Sequence, residues 1–258
     1  MRYAFPTLLV AIWCGLLSTP GSASMSPSNQ AEAAASYQEL DALARQTHAH
    51  GDLPRWSISD HAKVLERFWN VTATLGSPPY TSSDVPALLT IGDRASALYK
   101  TYLLFAPQPG TLPDTAANTS KYQDEVSRAA AYLLKVQAAE LEAMSDFVST
   151  LPAAEMTAPR RAGLQQVRLG INEMMTSVTL MVRSPGLNPA NRGILLSALA
   201  DNASVMAAST PRADRAALVA QTEAILPALT GPEREKALMF KSTFEHGECG
   251  VLCALEAK

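Results

Sequence analysis

The sequence has few charged residues and almost no cysteine. Charged side chains make up 17% of its 258 residues, below the quarter that is usual in globular proteins. A formal net charge of -3 at pH 7 gives the chain no overall attraction for nucleic acid or for an anionic membrane. With 47% hydrophobic residues, the composition is that of a packed domain and not of a disordered chain.

Familiar catalytic motifs are also missing. The chain contains no GxSxG elbow, HExxH, P-loop, dinucleotide-binding glycine fingerprint or CxxCH. The sequence therefore supplies no catalytic triad and predicts no cofactor. It favours a protein that acts by binding over an enzyme.

The first 23 residues have the pattern of a secretory signal peptide. Arg2 precedes an apolar run over 4–17, and small residues follow up to Ala23, where we expect cleavage. An apolar run of about 14 residues is too short for a permanent membrane span. The sequence thus predicts an exported protein, secreted or periplasmic, with no stable membrane anchor after cleavage.

Two cysteines remain once the signal peptide, which contains Cys14, is removed. In an oxidising compartment, Cys249 and Cys253 are expected to form a disulfide. The closed loop is short, so the bond should contribute roughly 2 kcal/mol at most. We expect it to fix the C-terminal segment and not the whole fold.

Apolar residues recur every three or four positions through nearly all of the remaining chain. Alternation with a period of two is rare, so the pattern predicts helices and no strands. We expect an all-α fold, a bundle of about eight mostly antiparallel helices in one domain over 24–258. A smaller C-terminal lobe over 189–258 is the alternative division. The predicted helices cover 30–48, 58–75, 84–105, 119–150, 158–183, 189–207, 211–229 and 232–245.

One carboxylate interrupts the apolar seam of the fourth predicted helix. Glu140 lies 14 residues before Ala154, the centre of the next turn, and Arg168 lies 14 residues after it. In an antiparallel hairpin the two side chains would be level, which predicts a partly buried ion pair that fixes the helix register. A ligand site at this pair, or a hydrolase or lyase using Glu140, is an alternative.

Histidines and methionines suggest a carrier as a further alternative. The connection between the first two predicted helices is surrounded by His48, His50, His61 and Asp60. Together these side chains would form a zinc or copper site. Their spacing matches no established metal motif, and histidines at a helix C-terminus are also common partners of the helix dipole. An apolar pocket for a small molecule would be lined by Met144, Met174 and Met175.

Arginines are concentrated in one part of the chain. Residues 158–215 carry seven basic and three acidic side chains, and every basic one is arginine. The planar guanidinium suits carboxylates and phosphates, which suggests a docking surface for an anionic group. We expect the protein to bind another protein, as an inhibitor, an immunity-type protein or an assembly factor would. The candidate binding residues are Glu140, Arg168, Arg160, Arg161, Arg192, Arg212 and Arg215.

Overall fold

The structure is a computed structural model that describes residues 25–108 and 110–255. The predicted signal peptide over 1–23 lies outside the described residues. Within those ranges every regular element is helical and no strand occurs, which confirms the all-α prediction. The α-helices are α1 Pro27–His48, α2 Ser59–Phe68, α3 Val71–Leu75, α4 Val85–Leu103, α5 Thr115–Lys121, α6 Gln123–Thr150, α7 Ala158–Val182, α8 Pro189–Ser209, α9 Arg212–Ile225, α10 Gly231–His246 and α11 Val251–Ala254.

Two predicted helices are each divided by a break in the backbone. Between α2 and α3, Asn70 is extended, and its side chain accepts the N–H of Ala73 at 3.1 Å. Between α5 and α6, the break lies at Tyr122. Apolar periodicity continues across both breaks, so it cannot show where one helix ends and the next begins.

Helix α6 is the centre of the bundle, with α4 packed on one side and α8 on the other. The first turns of α6 and α8 lie together, because Asn191 Nδ2 donates to Asp124 at 2.6 Å and the Asn188 N–H donates to Gln123 at 3.1 Å. Helix α8 therefore runs in the direction of α6, and the intervening α7 runs back. The consecutive long helices alternate in direction, as the short loops predicted.

A single hydrophobic cluster runs through the bundle. It includes Leu40 of α1, Val136 of α6, Leu199 of α8 and Phe240 of α10. Residues after 189 thus share their core with the first half of the chain, and a separate lobe over 189–258 stays a prediction. In the described ranges, no helix has the length and apolar character that a membrane crossing requires.

The C-terminal segment is fixed to the bundle at several points. Cys249 and Cys253 form the predicted disulfide, with their Cα atoms 5.4 Å apart. The Gly250 N–H donates to the carbonyl of Ala208 at the end of α8, at 2.8 Å. Helix α11 then packs against α6 and α8.

Candidate functional site

Glu140 is buried in the interface between α6 and α4, with 6% of its surface exposed. Burial, reinforced by the charge of Asp93, raises its pKa from 4.5 to about 8. Its carboxyl group therefore holds a proton at neutral pH. A hydrolase or lyase would need this carboxyl group to reach a substrate, whereas only 6% of the residue's surface is exposed.

Gly92 of α4 makes room for this carboxyl group. A Cβ atom at position 92 would lie 2.0 Å from Glu140 Oε1 and 3.1 Å from its Cδ. The close approach of the two helices thus depends on the absence of a side chain at this position.

Replacing Gly92 with alanine is expected to destabilise the protein by roughly 1–3 kcal/mol, because the new methyl group overlaps the buried carboxyl. Gly170 of α7 is the matched control, since a Cβ there meets open space. Gly170→Ala should stabilise α7 by about 0.5–1 kcal/mol through helix propensity. Urea denaturation measures the free energy of unfolding of both variants. Equal stability of the two would contradict the described packing of α4 against α6.

The predicted ion pair between Glu140 and Arg168 is not formed. Arg168 Nη1 donates instead to the carbonyl of Leu252 in α11, and Arg168 makes no contribution to the pKa shift of Glu140. The prediction assumed that the two helices contact each other at Glu140 and Arg168, and they do not. Glu140 lies on the side of α6 that faces α4, whereas Arg168 faces the C-terminal segment.

Most of the candidate arginines make contacts inside the molecule. Arg215 donates to the carbonyls of Ala207, Thr210, Gly247 and Glu248. Burial and the charge of Arg212 lower the pKa of Arg215, yet its guanidinium forms no ion pair with a described carboxylate. It joins the ends of α8 and α10.

Three further arginines of this group also bond to the main chain. Arg161 donates to the carbonyl of Leu255 at 3.0 Å and Arg160 to that of Glu155 at 2.7 Å. Arg192 donates to the carbonyl of Leu187 and lies 3.7 Å from Glu233. Only Arg183 and Arg212 of the seven arginines are exposed.

The predicted metal ligands are not brought together. His48 packs edge-on against Phe105, with the ring centroids 5.5 Å apart. His50 Nδ1 contacts the carbonyl of Gln46, His61 Nδ1 accepts the N–H of Arg55, and Asp60 pairs with Lys63. Over 25–108 and 110–255, no three His, Cys, Asp or Glu side chains are grouped as metal ligands.

The three methionines of the carrier hypothesis are core residues. Met144, Met174 and Met175 are all buried in the hydrophobic cluster. An open pocket of about 390 Å³ lies elsewhere, between the end of α4 and α5. It is lined by Phe105, Pro107, Gln108, Thr111, Leu112, Asp114, Ala117, Asn118 and Lys121.

A different group of side chains has the character of a binding surface. Trp56 precedes α2, Trp69 ends it, and their rings stack with centroids 5.7 Å apart. The guanidinium of Arg128, on the first turns of α6, lies over Trp56 at 3.8 Å from the ring centroid. We call Trp56, Trp69 and Arg128 the tryptophan–arginine cluster. Its side chains are half-buried, and the neighbouring Ile58 is 46% exposed.

The acidic residues nearest to Arg128 along α6 are engaged by other partners. Asp124 accepts the amide of Asn191 at 2.6 Å. Glu125 accepts the N–H of Trp56 at 2.5 Å and lies 3.6 Å from Arg55 Nε. Burial raises the pKa of Glu125, and these two contacts act in the opposite direction. Arg128 consequently forms no ion pair with any carboxylate of the described part of the chain.

Two N–H groups of the tryptophan–arginine cluster have no hydrogen-bond partner within the described residues. The Nε1 of Trp69 and the Nε of Arg128 are buried and have no hydrogen-bond partner there, whereas the Nε of Arg55 lies 3.6 Å from Glu125. Buried N–H groups in folded proteins are nearly always paired. The cluster therefore retains two N–H donors that no described residue uses.

Comparison with known proteins gives a plain result. No family model, no curated protein and no solved structure matches the chain. What the cluster does must therefore follow from its own chemistry.

One feature of the sequence does point to the tryptophan–arginine cluster. Outside the predicted signal peptide the chain has only two tryptophans, Trp56 and Trp69, and they flank one short helix. The helical pattern over 58–75 hides the break after Trp69, and Arg128 is distant in sequence. The segment before α2 contacts the start of α6, where Glu125 accepts the Trp56 N–H, and this contact brings Arg128 onto the tryptophan stack.

Proposed function

We propose that the protein is exported and acts by binding another protein, and that it contacts this partner through the tryptophan–arginine cluster and Ile58. The observation that carries the proposal is the guanidinium of Arg128, held on Trp56 without an ion pair to any acid among residues 25–108 and 110–255. An inhibitor, an immunity-type protein or an assembly factor would use such a surface.

The residue types support a contact surface. Tryptophan and arginine are enriched among the few side chains that contribute most to binding energy in protein interfaces. The stack also restricts both groups before binding, so less side-chain entropy is lost when a partner docks. Ile58 adds exposed apolar area beside them.

Export is supported by two independent features. The N-terminal sequence has the basic start, apolar run and small residues of a signal peptide. The disulfide between Cys249 and Cys253 is weak support in the same direction, because disulfides persist mainly in oxidising compartments.

Site-specific photocrosslinking in the native compartment tests the proposed surface. A photoreactive amino acid at Ile58 is expected to give one dominant adduct with a partner protein. The matched control is Leu180 on α7, which is 49% exposed, similar to Ile58, and lies in the arginine-rich part of the chain. Capture from position 180 and not from position 58 would contradict the proposal.

A further inference from the structure

We propose that the tryptophan–arginine cluster binds a carboxylate on an acidic segment of the partner protein, and that Arg128 holds this carboxylate. The inference rests on the proposed function, since it names the chemistry of the partner at the same surface.

The first argument is the unmatched charge and donors of the cluster. Arg128 contributes a guanidinium that forms no ion pair with a described carboxylate, and the Nε of Arg128 and the Nε1 of Trp69 have no hydrogen-bond partner among the described residues. Asp124 accepts the Asn191 amide, and Glu125 accepts the Trp56 N–H and lies 3.6 Å from Arg55 Nε, so neither carboxylate pairs with Arg128. A ligand with acceptor oxygens and a negative charge satisfies both requirements.

The second argument favours a carboxylate over a phosphate. One guanidinium presents a planar fork that fits one carboxylate with two parallel hydrogen bonds. A phosphate carries up to two negative charges, and the nearby carboxylates of Asp124 and Glu125 would repel it more strongly. A single carboxylate thus matches the charge of the site better.

The third argument concerns the source of the carboxylate. Ile58 and the two tryptophans offer apolar contact beside Arg128, so the carboxylate should be part of a larger, partly apolar ligand. Lys135 lies two helical turns beyond Arg128 on the same side of α6, about 10 Å along the axis. It forms no ion pair with a described residue. An acidic protein segment can contact both cations, which a free small acid cannot.

Tryptophan fluorescence measures this binding directly, because Trp56 and Trp69 are the only tryptophans outside the predicted signal peptide. The processed full-length protein is titrated with a short glutamate peptide whose ends are both blocked. The glutamine peptide of the same length and inorganic phosphate are the comparison probes. We expect a saturable change in fluorescence with the glutamate peptide only.

Two lysine substitutions give the matched test. Arg128→Lys keeps the charge and loses the planar fork, so the affinity for the glutamate peptide should fall about tenfold or more. Arg94→Lys is the control, because Arg94 also lies over an aromatic ring, 5.2 Å from the centroid of Tyr37, on another part of the surface. It should leave the affinity unchanged.

Several results would overturn the inference: equal affinity of the wild-type and Arg128→Lys proteins, tighter binding of phosphate than of the glutamate peptide, or no saturable response. These results are separable from failure of the proposed function. A partner captured at Ile58 without glutamate binding would retain the contact surface and reject the carboxylate. Glutamate binding with capture only at Leu180 would retain the anion site and reject the contact surface.

Discussion

Replacing Glu140 with glutamine is expected to stabilise the protein by roughly 5 kcal/mol in alkaline solution and by little near pH 5. The pKa of Glu140 is about 8 in the folded protein and 4.5 when unperturbed. Between these values the folded state keeps a proton that the unfolded state has released. The wild-type protein therefore loses stability as the pH rises through this range, and above about pH 8 it bears the full cost of a buried charge.

Urea denaturation at a series of pH values measures this effect. The glutamine variant has no titrating group at position 140, so its stability should change much less between about pH 5 and about pH 9. Glu173→Gln on the exposed face of α7 is the control and should follow the wild-type curve. Parallel curves for the wild-type and Glu140→Gln proteins would contradict the buried position of the carboxyl group.

Asp93→Asn separates the two causes of the shift. Burial is the larger cause and the charge of Asp93 the smaller. This variant should consequently retain most of the pH dependence, with its midpoint moved to a slightly lower pH. Complete loss of the dependence would mean that the charge of Asp93, and not burial, controls Glu140.

Replacing Arg215 with methionine is expected to cost roughly 3–5 kcal/mol of stability. The guanidinium satisfies four main-chain carbonyls at the ends of α8 and α10. Methionine fills a similar volume but leaves these acceptors without donors. The expected loss exceeds the roughly 2 kcal/mol that the short disulfide loop can contribute.

Arg212→Met is the matched control, because Arg212 lies on the same helix and is exposed. Its substitution should change stability by less than about 0.5 kcal/mol. Hydrogen exchange of the Gly250 amide, which donates to Ala208, adds a local readout. Exchange should accelerate in Arg215→Met and stay unchanged in Arg212→Met. Equal effects of the two substitutions would show that Arg215 does not hold the C-terminal segment.

The helices could be predicted from the sequence because burial of one face repeats with the helical period. The same pattern does not show which neighbour a buried residue meets. Helix α6 is covered by several neighbouring helices, so the apolar part of its surface is wide. Glu140 lies within that apolar part and faces α4, not α7. Register arguments from turn centres therefore fail for a central helix, although they suit an isolated hairpin.

Composition was a poor guide to the binding surface. An arginine that donates to main-chain carbonyls, as Arg161 and Arg215 do, has the same sequence signature as an exposed one. Arg128 is the opposite case: no sequence pattern singles it out, and it follows two acids, Asp124 and Glu125, on the same helix. Whether those acids are already engaged depends on Asn191 and Trp56, which come from other parts of the chain.

The most direct test of the proposed contact surface is size exclusion, with three variants, of the complex that we propose the protein forms with its partner. We predict that Arg128→Glu releases the partner, while Arg183→Glu and Arg212→Glu, which reverse exposed charges of the arginine-rich region, leave the complex intact. Retention of the partner by Arg128→Glu and its release by the other two would contradict the account.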